Sequence, residues 1–301
     1  MEYWEPSGGT PATLVRKLIR AVVALHSTLT SEVWLWRGQA DEVHNLEAGI
    51  HSRIRATGIE LDERNALWAT DQLIQRARRA NLDQVEGLRL PDLALLAQLQ
   101  HHGAATPLVD VTVDPFVALW MVVHSSQSNL LAEDGKTGLL YAIRRPPRER
   151  WLDPLDARPY VSKDDDSIGH LLSLAPLGLF WYRAPDVSER LRIQRGSFVV
   201  GSLVAPMGDG LCTLPMTIDP PAPWLAERIN QFGQAGQPIK AKSDVVAFRI
   251  RPRLKGLIRD WLADRAGLTQ EVIYPTPWHR PFLDQFCRTY GRGRAIEFLV
   301  G

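Results

Sequence analysis

The stretch LLAQLQHHGAATPLVDVTVDPFVALWMVV, residues 95–123, fixes the reading of the fold. Leu95, Leu96 and Leu99 form an apolar stripe, and the helix predicted over 91–102 stops at Gly103 behind His101 and His102. TPLVDVT (106–112) is an apolar run broken only by Asp110, which suits a buried strand. Asp114 and Pro115 then supply an N-cap and a first-turn proline for the helix of FVALWMVV. Helix, strand and helix follow each other here with almost no loop between them.

Outward from this unit the same signals recur. Thr10-Pro11 opens a helix carrying Leu14, Val15, Leu18, Ile19, Val22 and Leu25 on one face. Ser31–Arg37 reads as a strand that Gly38 ends, followed by an irregular passage from His44 to Gly58. A helix is expected over 61–80 and strands over 138–145 (GLLYAIRR) and 190–204 (RLRIQRGSFVVGSLV), with Gly196 marking a bulge or a close approach. VVAFRIRP gives a further strand, and a helix from about Pro252 to Ala266 stops at Gly267. Pro146 to Asp166, ending in Asp164-Asp165-Asp166, has the composition of a solvated loop. These elements, without repeat or clear linker, predict one α+β domain with a helical N-terminal extension.

Composition narrows the function classes. The 301 residues are 45% hydrophobic, and 35 Lys and Arg nearly balance 34 Asp and Glu, so overall charge argues for neither a nucleic-acid nor a membrane partner. Cys212 and Cys287 lack metal-ligand spacing and read as buried thiols in a reducing, cytoplasmic setting. The N-terminus has no signal-peptide pattern, and no apolar run is long enough to span a bilayer. Phosphate loops, dinucleotide fingerprints, HExxH and GxSxG are all absent from the sequence. The adjacent His101 and His102 cannot share a helix face, so no metal is expected.

Polar residues at the ends of apolar elements remain as the candidates. Arg37 closes WLWRGQ (34–39), His101 and His102 end a helix whose dipole favours their protonated form, and Asp110 and Gln194 each interrupt an apolar strand. Thr112 stands at a strand exit. Singly, each has a structural reading: an Arg37–Asp110 ion pair, a helix-capping histidine, a turn hydroxyl, a glutamine serving backbone groups.

Taken in order, these segments resemble the FRG domain family, whose aromatic-Arg-Gly motif stands here as Trp36-Arg37-Gly38, followed by Gln39. LAQLQHHG, TPLVDVT and DPFVALWMVV are similar to the family's middle signatures, and RIQRGSF (192–198) to a later one. FRIRPRLKGLIRDWL and Tyr274-Pro275 resemble its closing segment. Pro107 and Val111 replace the usual arginine and tryptophan of the middle signature. The resemblance implies an FRG domain over 31–285, between the extension of 1–30 and a tail of 286–301.

The element order also resembles that of ADP-ribosyltransferases, which implies a mixed or antiparallel β core with flanking helices and NAD as substrate. By that likeness Arg37, Gly38, Gln39, His101 and Thr112 would bind the dinucleotide, while Gln194, His102 and Asp110 would serve the chemistry. Where such enzymes carry a catalytic glutamate this chain has Gly196, and His102, Asp110 and Glu189 are the substitute bases; Glu297 lies outside the matched region. The expected setting is a toxin or phage-defence effector modifying nucleic acid or protein, with an antitoxin or regulatory partner. The alternatives are a non-catalytic nucleotide- or partner-binding module and a metal-independent ribonuclease using His102 with Asp110.

Overall fold

A computed structural model describes residues 2–27, 33–44, 46–85, 87–125, 129–160, 179–185, 189–201, 219–221, 223–232, 234, 239–275 and 281–291. In chain order its elements begin with β1 (Glu2–Trp4), α1 (Pro11–His26), β2 (Trp34–Gln39), α2 (Gly49–Ala56) and α3 (Glu63–Arg79). A short hairpin, β3 (Gln84–Val85) and β4 (Leu88–Arg89), leads to α4 (Asp92–His101), β5 (Val109–Thr112), α5 (Pro115–Val123) and β6 (Gly138–Arg144). Next come β7 (Trp151–Leu152), β8 (Phe180–Tyr182), α6 (Glu189–Ile193), β9 (Gly196–Val200), β10 (Asp219–Pro221) and α7 (Pro223–Gln231). The described chain closes with β11 (Val245–Ile250), α8 (Pro252–Ala266), α9 (Gln270–Ile273) and α10 (Pro281–Tyr290).

Nine of these strands make one mixed sheet in the order β10-β1-β11-β6-β2-β5-β9-β8-β7. The pairs of β1 with β10 and β11, and of β7 with β8, are parallel; the rest are antiparallel. The fold is therefore α+β with a mixed β core and flanking helices.

Period-two alternation along β2 explains how the sheet is covered. Trp34 and Trp36 pack with Val15, Leu18, Trp120, Phe248 and Ile258, so α1, α5 and α8 lie on their side. Leu35 joins Tyr141, Val109, Val111 and Trp181 in a separate cluster on the other side. Over β5, β9 and β8 a third cluster unites Leu108, Phe198 and Tyr182 with residues of α2, α3, α4 and α10. The two helical groups meet at a seam between β2 and β5, which pair only at Trp36 and Thr112.

Local signals set the helix ends as the sequence predicts. The Thr10 hydroxyl accepts from Thr13 N, and the Asp114 carboxylate accepts from the amides of Phe116 and Val117. Gly267 closes α8 in the left-handed conformation.

Several boundaries differ from the sequence reading, and the passage after Pro146 that reads as a loop holds β7. The passage from His44 to Gly58 contains α2, whose Ile50 and Ile54, four residues apart, are buried against α3 and α4. Over its described residues, 190–201, the strand expected at 190–204 is instead α6, a turn through Gln194 and Arg195, and β9; positive φ at Arg195 (47°) ends the helix. The N-terminal segment is not an appendage, because β1 sits between β10 and β11 and α1 buries its apolar face in the sheet. Helix α10 runs unbroken through 285–286, with Leu283 and Cys287 buried in the core. The Cys287 thiol is free, and burial pushes its pKa up to about 12. Cys212 and Glu297 lie outside the described residues, as do Asp164–Asp166.

Candidate functional site

At the seam the ladder between β2 and β5 ends after one residue pair, and Arg37 bridges the gap. Its Nη1 donates to the Asp110 carbonyl at 2.8 Å and lies 3.7 Å from the Asp110 carboxylate. The Asp110 carboxylate also accepts from Gln100 Nε2 at 2.7 Å, and Gln100 Oε1 accepts from the buried Thr106 hydroxyl at 2.8 Å. A chain of hydrogen bonds thus runs from the α4–β5 loop to the β2 guanidinium. Arg37 is largely buried at 22% side-chain exposure, whereas Asp110 keeps 53% and is open to solvent. The expected Arg37–Asp110 contact exists, but its carboxylate is free enough to meet a ligand.

Two residues that the sequence reading did not single out as candidates complete the cluster. Arg190 on α6 lays its guanidinium over the Tyr274 ring, 4.4 Å from the centroid. Burial raises the Tyr274 pKa, while the Arg190 guanidinium lowers it and the Asp110 carboxylate raises it, so both charges act on one phenol. His101 is held down to about 3, first by burial, then by Arg190 and His102, and is a neutral imidazole at physiological pH. Desolvation here outweighs the helix-dipole preference for a protonated ring. The Nε atoms of Arg37 and Arg190 are both buried without a hydrogen-bond partner among the described residues.

Other candidates serve the scaffold. Thr112 donates its hydroxyl to the Gln194 carbonyl at 2.7 Å and accepts from Asp114 N at 3.0 Å, so it locks the turn before β9. Gln194 donates to the Ile273 carbonyl at 3.0 Å, which tethers the residue preceding Tyr274. Gly38 does not end its strand: β2 continues to Gln39. A Cβ at Gly38 would stand 2.1 Å from the Ala118 carbonyl oxygen, so this glycine admits the α5 backbone rather than a ligand. Gln39 donates to the His44 carbonyl at 3.4 Å.

His102 is turned away from Asp110 and bonds Asp284 of α10 through Nδ1 at 2.7 Å. The catalytic pairing of His102 with Asp110 is therefore absent, since each is engaged elsewhere. Glu189 is exposed and 3.9 Å from Arg192. The space a Cβ at Gly196 would take is occupied by Leu191, with Cδ1 at 2.4 Å, so a carboxylate there would displace that side chain. Among the described residues no group of three or more His, Cys, Asp or Glu could hold a metal ion, and no helix is long and apolar enough to cross a membrane.

This seam, with its arginine directly after Trp36 and its helix–strand–helix unit, lies inside residues 32–130, which match the family model of the FRG domain. The chain carries an FRG domain. The matched segment runs from β2 through α5 and contains Arg37, Gln100, His101 and Asp110, while Arg190 and Tyr274 reach the FRG seam from beyond it. No curated protein and no solved structure matches the chain.

Proposed function

We propose that the FRG domain binds NAD at this seam and transfers ADP-ribose to a nucleic-acid or protein acceptor, in the toxin or phage-defence setting that the resemblance implies. The observation that carries the reading is the pair of guanidiniums, Arg37 and Arg190, each with a buried Nε lacking a partner, beside the exposed Asp110 carboxylate. A buried donor left unmet costs about 1–3 kcal/mol, and a diphosphate supplies acceptors in the forked geometry a guanidinium prefers. In transfer, the bond between ribose C1′ and the nicotinamide nitrogen breaks and its electron pair leaves with nicotinamide. The acceptor heteroatom bonds to C1′ and gives its proton to the solvent-open carboxylate of Asp110, which lies 3.7 Å from Arg37. Neutral His101 lines the site without adding positive charge.

Titration calorimetry with NAD and a nicotinamide-release assay test this. Arg37→Ala and Arg190→Ala each remove a charged hydrogen-bonding group, a loss of about 1.5–3 kcal/mol, so NAD binding should weaken roughly tenfold or more. Asp110→Asn should keep binding and abolish release. Absence of nicotinamide release from NAD-saturated protein with cell extract present would sink the transfer step.

A second reading, a non-catalytic nucleotide-binding module, draws on Gly196 and on Leu191, which fills the place of the usual glutamate. It predicts arginine-dependent binding of NAD with no turnover in wild type or Asp110→Asn.

A further inference from the structure

Away from the seam, the β7 edge of the sheet carries a cluster of arginines and tryptophans. Edge strand β7 begins at Trp151, which is 38% exposed and meets Trp181 of β8 edge-on at 4.8 Å between centroids. The Arg145 guanidinium lies over both rings, 4.6 Å from Trp151 and 5.4 Å from Trp181. Trp151 Nε1 donates to the Pro146 carbonyl at 2.8 Å, which holds the ring against the segment RRPPRER.

The charges around this stack are only partly spoken for. Arg144 is paired with Asp244, and Arg158 with Asp156. Arg148, Arg150 and Arg183 form no ion pair among the described residues, and Arg148 and Arg183 are exposed. Against these stand Glu149 and Asp153, and Asp153 already accepts from Leu155 N at 2.8 Å. Guanidiniums interleaved with an exposed indole meet the two needs of single-stranded nucleic acid, phosphate neutralisation and base stacking. An acidic protein segment would use the charges but leave the indole without a role.

We propose that the β7 edge, through Arg145, Arg148, Arg150, Arg183 and Trp151, binds single-stranded nucleic acid. As the dock for an acceptor it rests on the ADP-ribosyl transfer proposed above, and it then names nucleic acid as the acceptor class. Strand β7 is three positions from β5 in the sheet, roughly 15 Å at about 4.8 Å per strand, so one strand of nucleic acid can reach both places.

Fluorescence anisotropy with labelled single-stranded RNA of roughly 16 nucleotides, the upper site size of comparable modules, tests the surface directly. Wild type should bind, with affinity falling steeply as salt rises. The double variant Arg148→Ser/Arg150→Ser should weaken binding about tenfold or more and flatten the log–log salt slope by about 1.4, roughly 0.7 per lost phosphate contact on a single strand. Trp151→Phe, which retains a ring, should bind nearly as wild type, whereas Trp151→Ala should lose affinity. NAD affinity, measured on the same variants, should stay unchanged. No RNA binding by wild type at low salt, equal affinity for duplex RNA, or unchanged binding by the double variant would each overturn the proposal. RNA binding without nicotinamide release would leave this surface standing while the transfer reaction fails; release without RNA binding would do the reverse.

Discussion

Gly38 shows how one residue can be right in place and different in purpose. Its position after Trp36-Arg37 marks the FRG motif, yet the contact it permits is with the Ala118 carbonyl, not a ligand. Gly38→Ala should therefore destabilise the fold by about 1–3 kcal/mol or prevent folding, with urea denaturation as the measurement, because the α5 backbone must move to admit a methyl group. His101 offers a second test at this scale. Its pKa is lowered from 6.5 to about 3 in the folded chain, so the unfolded chain binds more protons between those values. Stability should rise with pH across that window, by at most about 1.4 kcal/mol per pH unit, and be insensitive to His101 above it. His101→Gln should remove that part of the slope in urea midpoints measured between about pH 4 and pH 6, inside the same window.

Among the elements, α5 and α8 are held by contacts of different legibility. Asp114 was readable as an N-cap from its place before Pro115, and its carboxylate accepts two backbone amides. Asp114→Ala should cost about 1 kcal/mol in thermal or urea unfolding, at the middle of the capping range. Lys255 on α8 is another matter, since nothing in PRLKGLIRDWL tells a buried lysine from a solvated one. In the fold it is 1% exposed, and its Nζ donates to the carbonyls of Ala40 and Glu133 at 2.7 and 2.6 Å, tying the exit of β2 to the 129–137 loop. Lys255→Met fills the volume but leaves both carbonyls unmet, so a loss of about 1.5–3 kcal/mol is expected by urea denaturation. Helix α6 reads as strand in the sequence because Leu191 and Ile193 alternate with Arg190, Arg192 and Gln194; the positive φ at Arg195 separates helix from strand, and sequence does not encode that turn with a glycine.

Over the whole molecule, β1 is built into the sheet and α10 into the core. Removing residues 1–10 deletes β1 from between β10 and β11 and strips the cap of α1. The truncated chain should lose cooperative unfolding or aggregate, as circular dichroism melts and light scattering would show, because β11 becomes an unpaired edge. The residues alone determined the α+β class, the N-caps of α1 and α5, the stop of α8 and the FRG motif, because these depend on periodicity and on neighbours a turn or a strand apart. Only the tertiary structure decided that Arg190 and Tyr274 join that site, that His102 serves α10, that His101 is neutral, and that Thr112 and Gln194 fasten a turn. Those outcomes depend on desolvation and on contacts between segments up to 182 residues apart, as between His102 and Asp284, which no local pattern records.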